Sequence, residues 1–502
     1  MLMGAERGIK SMTRPRLTLP QPGLLSGYDP TDFFCEALSL RGDGEAELAA
    51  IAARLNALDP EDLRRRTARA EKELFDLGIT FTVYSEKDAI DRILPFDVLP
   101  RVITSGEWTR LEAGIIQRVT AINLFLADLY GDQKILADKI VPADLVLGNA
   151  NFHSFMRGLK VPCGTYSHVC GIDLIRDQEG LFRVLEDNAR TPSGVSYVVE
   201  NRNLMLQCFP DLMEGSRVRA VDDYGLMLRR ALEEIAPAGV DEPSVVLLSP
   251  GIYNSAFFEH VFLAREMGVP LVEGRDLVVE NDRVYMQTTA GKAPVHSIYR
   301  RIDDFFLDPK VFRPDSMLGV PGLMDAYRKG NVSLANAPGT GVADDKAVYA
   351  YMPRIIKYYL GEDAILPNVE TFICREAEGL KYTLDNLENL VVKPVGESGG
   401  YGMILGPKAS RSEIEEFRAK LKADPANYIS QPMIGLSVSP TLTAKGTQPR
   451  HVDFRPFAVT GASTRVLAGG LTRVAMKEGS LVVNSSQGGG SKDTWVLAGE
   501  GQ

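Results

Sequence analysis

The stretch Leu390–Leu405, LVVKPVGESGGYGMIL, constrains this chain most: an apolar strand ends in a lysine and runs straight into a glycine-rich turn. Val391 and Val392 read as a buried strand and Lys393 supplies a point charge. Gly396, Gly399, Gly400 and Gly402 let the backbone approach a polyphosphate with its N–H groups exposed. Ser398 adds a hydroxyl donor, and Glu397 lies in the same turn. A glycine-rich hairpin is the competing reading. This is not a Walker loop, because the lysine precedes the glycines and no Gly-Lys-Ser/Thr follows. A distant set of metal ligands and cations suited to the same nucleotide decides between the two.

At 502 residues the chain exceeds one compact core, and roughly two to four domains or subdomains are expected. With 45% hydrophobic and 24% charged residues it is an ordinary globular composition. A net charge of -10 and a pI near 5.3 speak against nucleic acid or an anionic membrane as the partner. The five cysteines are scattered, with no CxxC and no zinc-type histidine spacing, as expected of reduced cytoplasmic thiols. No apolar run reaches bilayer-spanning length, and the expected location is the cytoplasm.

Five regions are expected. Residues 1–30 carry little periodicity and read as a flexible arm; 31–148 read as mainly helical, with amphipathic runs at Glu45–Leu55, Asp59–Phe75 and Trp108–Tyr130. Region 149–240 contains the second informative stretch, VCGIDLIRDQEGLFRVLEDNARTPSGVSYVVENR. Alternation on either side of Asp177–Gly180 predicts a β-hairpin, with Asp173 on its first strand and Glu186 and Asn188 on one face of its second. Two carboxylates and an amide suit magnesium, which keeps positions open for phosphate oxygens and water. A solvent-facing acidic hairpin is the alternative. Ser193, in the turn that follows, is either a donor to substrate or part of an ordinary connector.

Region 241–335 reads as a βαβ unit, with a crevice expected at the strand ends near Ser249–Asn254. Arg300 and Arg301 beside Asp303 and Asp304 form either a structural ion-pair network or a substrate site. In region 336–502, Lys346 at a helix start suggests an anionic ligand. YISQPMIG reads as a strand leading to a hinge. RHVDFRPFAVT reads as a strand with Asp453, Arg455 and Phe457 on one face, and GGLTRVA places Arg473 on another.

VADDKAVYAYMP, LVVKPVGESGGYGM, YISQPMI, HVDFRPFAV and GGLTRVA together resemble the nucleotide half of ATP-grasp enzymes. Glu186-Asp187-Asn188 precedes them, where the usual order places the metal motif last. With GIDLIRD and YRRIDDFFLDP, this order resembles the circularly permuted ATP-grasp type 2 family, related to the synthetase domain of glutathionylspermidine synthetases, from about residue 75 onward. The resemblance implies an α/β chain with α+β elements: a circularly permuted ATP-grasp fold, a helical N-terminal region and a Rossmann-like pre-ATP-grasp subdomain. It makes Asp173, Glu186 and Asn188 the magnesium ligands and Lys346 and Lys393 the ATP lysines. Glu397, Ser398, Gly399 and Gly400 become the phosphate loop, Gln431 the adenine hinge and Arg455 the cation at the transferring phosphate. Beside the resemblance, the residues alone offer Ser193, Arg300, Arg301 and Arg473 as candidate substrate contacts.

The implied activity is ATP- and Mg²⁺-dependent ligation of an amino acid, peptide or peptide-like acid to an amine through an acyl-phosphate. A phosphotransferase and a non-catalytic nucleotide-binding partner protein are the alternatives. Two features depart from glutathionylspermidine synthetases. No amidase domain has a counterpart here, and the arginine they place two residues before the metal-binding Asp is Gly171.

Overall fold

The computed structural model describes residues 15–41, 44–76, 80–84, 89–93, 95–396, 402–480, 483 and 489–499. Near the N-terminus, α1 (Glu45–Asn56) and α2 (Pro60–Asp76) place Leu48, Ile51, Leu55, Leu63, Ala70 and Leu74 at helical spacing. They bury these against Phe96, Val98 and Trp495. After β1 (Phe96–Ile103) comes α3 (Ser105–Tyr130), opened by a capping box between Thr104 and Glu107. The predicted hairpin is β2 (Val169–Arg176) and β3 (Phe182–Asn188), followed by α4 (Val195–Cys208).

The βαβ unit is β4 (Val245–Leu248), α5 (Phe257–Met267) and β5 (Leu271–Val272). It is extended by β6 (Ser297–Arg300) and β7 (Ser333–Ala335). Next come α6 (Lys346–Leu360), β8 (Phe372–Ile373), α7 (Ala377–Asn386) and β9 (Leu390–Pro394). β10 (Ile404–Leu405), α8 (Arg411–Ala423) and β11 (Tyr428–Pro432) complete that lobe. Last are β12 (Phe457–Thr460), β13 (Thr464–Val466), β14 (Thr472–Val474) and β15 (Gly490–Val496).

Four sheets position the site. β7–β6–β4–β5 is wholly parallel, with α5 as the crossover that a parallel neighbour requires. β8–β11–β9–β10 is antiparallel. Its Leu390 and Val392 pack with Ile414, Phe417 and Leu421 of α8, so by the two-residue period Val391 and Lys393 face the other way. A third, antiparallel sheet orders β13–β12–β2–β3 and so joins residues 169–188 to 457–466 across the expected division at residues 240 and 335. In the fourth, β15 pairs antiparallel with β14 and parallel with β1. Beneath these lies a core in which Ile115, Ile122 and Phe125 of α3 meet Val348, Met352 and Ile356 of α6.

Two expectations are corrected. Residues 15–30 are no flexible arm: Leu24 and Leu25 are buried, and their N–H groups donate to the backbone and side-chain oxygens of Asn56 at 2.8 and 2.9 Å. A prolyl-rich segment without periodicity is ordered here by docking, which a local pattern does not record. Nor is RHVDFRPFAVT one strand: Arg450 and His451 end an earlier strand paired with Ser439 and Val438, Pro456 has no N–H to donate, and Val452, Phe454 and Arg455 pair only through isolated bridges before β12 begins. Among the described residues, no helix is long and apolar enough to cross a membrane.

Candidate active site

On the β2–β3 hairpin, Asp173 and Glu186 are direct cross-strand partners, and so are Gly171 and Asn188. Opposed residues of an antiparallel pair share a face, so both carboxylates and the amide point the same way. Asn188 Nδ2 donates to Asp173 Oδ1 at 3.1 Å. Asp187 points to the opposite face, where Arg118 holds it through Nε and Nη2 at 2.5 and 2.7 Å. That buried fork anchors the hairpin to α3.

The segment before β12 runs along the open side of β2, exchanging hydrogen bonds between Leu174 and Phe454 at 2.7 and 2.8 Å. It delivers Arg455, whose Nη1 lies 2.7 Å from Asp173 Oδ2 and whose Nε and Nη2 donate to Asp453 Oδ2 at 3.0 and 2.8 Å. The Arg473 backbone N–H donates to the other oxygen of Asp453 at 3.2 Å. Burial and the neighbouring Arg455 lower the Arg473 guanidinium to about 10. Burial also pushes Asp173 up, to about 8; Arg455 opposes this, while Glu186 and Asp453 add to it.

The two lysines arrive from another lobe. Asp345 caps α6 by accepting from Ala347 N at 2.7 Å, and Lys346 N donates to Val395 O at 3.2 Å, which ties the start of α6 to the chain just beyond Lys393. Lys346 Nζ lies 3.7 Å from Glu186 Oε2. Lys393 Nζ donates to Gln431 Oε1 at 2.8 Å, and Gln431 Nε2 donates to Thr371 Oγ1 at 2.9 Å. Burial lowers Lys393 to about 8; Glu186 opposes the shift and Lys346 adds to it. Glu186 stays below the usual carboxylate range: burial raises it, but Lys346, Arg455 and Lys393 prevail. A cleft of about 620 Å³ opens here, lined by Glu186, Asn188, Arg190, Asp344, Lys346 and Gly396. That volume falls within the range of small-molecule sites.

The profile of the circularly permuted ATP-grasp type 2 family matches residues 100–475. The chain belongs to this family. An uncharacterised protein of Synechocystis sp. is 50% identical over 479 residues, covering 95% of this chain and 100% of that one. A Frankia casuarinae protein, named provisionally as a glutamate–cysteine ligase, is 41% identical over 477 residues, covering 95% of this chain but 55% of its own length. Among solved structures, a glutathione synthetase-like effector of Globodera pallida aligns with a TM-score of 0.55 at 11% identity, over 88% of this chain and 98% of its own. That likeness is one of fold.

ATP-grasp chemistry implies ATP and magnesium, and the donor set fits the metal. Buried Asp173 and half-buried Glu186 face each other with Asp453 close by, so their charges repel, and a hard divalent cation relieves such crowding while leaving room for phosphate oxygens. The fit depends on the amide of Asn188, because among the described residues no group of three His, Cys, Asp or Glu side chains is placed to hold a metal.

Of the sequence candidates in this permuted ATP-grasp chain, Asp173, Glu186, Asn188, Lys346, Lys393, Gln431, Arg455 and Arg473 converge. Glu397, Ser398, Gly399 and Gly400 lie outside the described residues. Arg300 does not converge, which corrects its reading as a substrate contact. It is fully buried, ion-paired with Asp304 at 2.5 Å and donating to the carbonyls of Asn336 and Ile302 at 2.6 and 2.7 Å. Arg301 is also buried and donates to Pro192 O at 2.7 Å, so it reaches the cleft only through the loop that carries the exposed Ser193.

Three contributors were missed. Asp344 Oδ1 accepts from Ala189 N and Arg190 N at 2.5 and 3.1 Å, and Arg190 bridges Asp344 and Asp303 at 3.4 and 2.8 Å. Both lie two residues from a candidate, a proximity that is the available sequence signal. Glu259 is the third: its Oε2 accepts from Gly194 N, Ser196 N and Ser196 Oγ at 2.7, 3.1 and 2.9 Å, and its Oε1 from Arg301 at 3.3 Å. In the first turn of α5 it looks like an ordinary complement to the helix dipole, so nothing local marks it.

Proposed function

We propose that this protein is an ATP- and Mg²⁺-dependent ligase that joins the carboxylate of an amino acid, peptide or peptide-like acid to an amine through an acyl-phosphate. Family membership supports ATP-dependent ligation in general, as does the name of the Frankia relative. The observation that carries the reading is the meeting of Lys346 and Arg455, from separate segments, on the Asp173–Glu186 pair. Bound Mg-ATP would supply the phosphoryl group that makes the acid reactive toward an amine. The chain's own part is electrostatic: Lys346 and Lys393 hold positive charge beside the cleft, and Asp453 aims the fork of Arg455 at the Asp173 side of the hairpin. The small-molecule acid and amine are the proposed partners, in the cytoplasm.

The test is product analysis over pools of amino acids, peptides and amines. ADP, phosphate and an amide are expected only when acid and amine are both present. A stable phosphorylated acceptor would make the protein a phosphotransferase, and nucleotide binding without turnover would make it a non-catalytic partner. Arg455→Ala should lower kcat about a hundredfold while nucleotide affinity changes little, and Arg455→Lys should recover little of the loss. An unchanged rate per folded molecule would assign Arg455 a structural role.

A further inference from the structure

β3 changes phase halfway along its length. Up to Val184 the side chains it buries carry even numbers, Phe182 and Val184; beyond Leu185 the buried ones carry odd numbers, Asp187 and then Ala189 just past the strand. The cause is a β-bulge. Asp173 and Leu174 are neighbours on β2, but their partners Glu186 and Val184 are two apart on β3, so Leu185 is the extra residue. Without it, strict alternation would carry Phe182, Val184, Glu186 and Asn188 to one face, the core face, and send Asp187 towards the cleft. The bulge therefore decides whether Glu186 and Asn188 face Asp173 at all. Its consequence on the other side is an aspartate in the core, opposite Ile172.

Arg118 of α3 meets that aspartate. Its Nε and Nη2 bind the two Asp187 carboxylate oxygens at 2.5 and 2.7 Å, and neither side chain has more than 1% of its surface exposed. The remaining guanidinium nitrogen, Nη1, donates to Asn368 Oδ1 at 2.8 Å, and Asn368 Nδ2 donates to Tyr349 O at 2.8 Å. The chain around Asn368 also grips the near side of the bulge. Val184 N donates to Pro367 O at 2.9 Å and Val369 N to Val184 O at 2.8 Å, while the Tyr349 hydroxyl donates to the same carbonyl at 2.6 Å. One guanidinium thus ties the residue beyond the bulge to the segment that holds the residue before it. A buried carboxylate is strongly destabilising once its partner is gone, so this phase of β3 stands only with Arg118 opposite Asp187.

We propose that Arg118 is a positioning residue: by holding Asp187 in the core, it fixes the phase of β3 in which Glu186 and Asn188 face the cleft as metal ligands. The inference rests on the magnesium reading given above and adds to it a residue 69 positions from Asp187 in the chain. The fork matters as well as the charge, because two parallel N–H groups fix the direction of a carboxylate whereas an ammonium does not.

Titration with Mn²⁺ alone, followed by electron paramagnetic resonance and scaled to the folded fraction from circular dichroism, tests it. Wild type is expected to bind one ion per chain. Arg118→Lys keeps a positive charge opposite Asp187, and with it the fold, but loses the fork and the Asn368 bond. Its affinity for Mn²⁺ should fall at least about tenfold. Arg118→Met combined with Asp187→Leu replaces the pair by apolar side chains that the core accepts in the same phase, and should bind Mn²⁺ within about twofold of wild type. The proposal is overturned if Arg118→Lys, per folded molecule, binds Mn²⁺ as tightly as wild type, because the fork would then be a structural pair and nothing more. It is also overturned if the double variant melts as wild type does yet binds as weakly as Arg118→Lys, since the charge and not the phase would then be the cause. Absence of Mn²⁺ binding by wild type is a different failure, which removes the metal reading itself and the role of Arg118 with it.

Discussion

Lys393 carries the clearest prediction for a single residue. Its ammonium donates to Gln431 and, through burial, has a pKa near 8 before any nucleotide arrives. Polyphosphate charge favours the protonated form, so binding raises this pKa and, at pH 8 and above, must draw a proton from solvent. Nucleotide affinity should therefore fall as pH rises past about 8. Titration calorimetry at pH 8.5 in buffers of different ionisation heat should register proton uptake that Lys393→Met removes. Equal heats in all buffers would place Lys393 away from the phosphates. Gln431 belongs to the same argument: both ends of its amide are occupied, by Lys393 and Thr371, so in this arrangement it orients the lysine.

Among elements, the junction of α4 and α5 sets the loop that leaves the β2–β3 hairpin. Gly194 has φ 114°, a conformation suited to glycine, and a Cβ there would lie 3.1 Å from Leu471 Cδ2. Glu259 of α5 then accepts the N–H groups that open α4, while Arg301 at the end of β6 grips Pro192 O. The parallel sheet thus shapes residues 191–194 from behind. Glu259→Ala removes the acceptor and leaves Arg301 short of its counter-charge. It should cost about 3 kcal/mol of stability and raise KM for the acid or amine on the order of tenfold. KM for ATP should hardly move. Steady-state kinetics with each substrate varied in turn checks this, and equal increases in every KM would mean general loosening. The hairpin was legible in the sequence because a two-residue period and a turn decide which side chains share a face. The Glu259 contact was not, because it joins positions 63 and 65 residues apart in the chain.

At the scale of the whole molecule, the N-terminal segment is sewn into the fold by Glu36, which also accepts from Ser437 Oγ at 2.6 Å. Burial raises its pKa, but Arg101, Arg176 and Arg41 outweigh that and bring it from 4.5 to about 2. A depressed carboxylate stabilises the fold above its unfolded pKa, and that stability is lost as pH falls through the folded value. The contribution, about 3 kcal/mol, is thus fully present above pH 4.5 and gone near pH 2. Urea denaturation should find wild type and Glu36→Gln far apart at pH 7 and converging towards pH 2; a constant gap would refute the linkage. By itself, the sequence determined the main elements and the kinds of group they present: Lys393 at a strand end before glycines, and Asp173, Glu186 and Asn188 on a hairpin, all consequences of local periodicity. Only the tertiary structure decided which charge meets which. Arg300 and Arg301 are adjacent, yet one closes an ion pair with Asp304 and the other holds the Pro192 carbonyl. Asp187 turns from the face that carries Asp173 and Glu186 to Arg118, and a stretch without periodicity seats Leu24 and Leu25 beside Asn56. A buried charge takes whichever partner the packing of distant segments brings within about 3 Å, and no spacing along the chain encodes that distance.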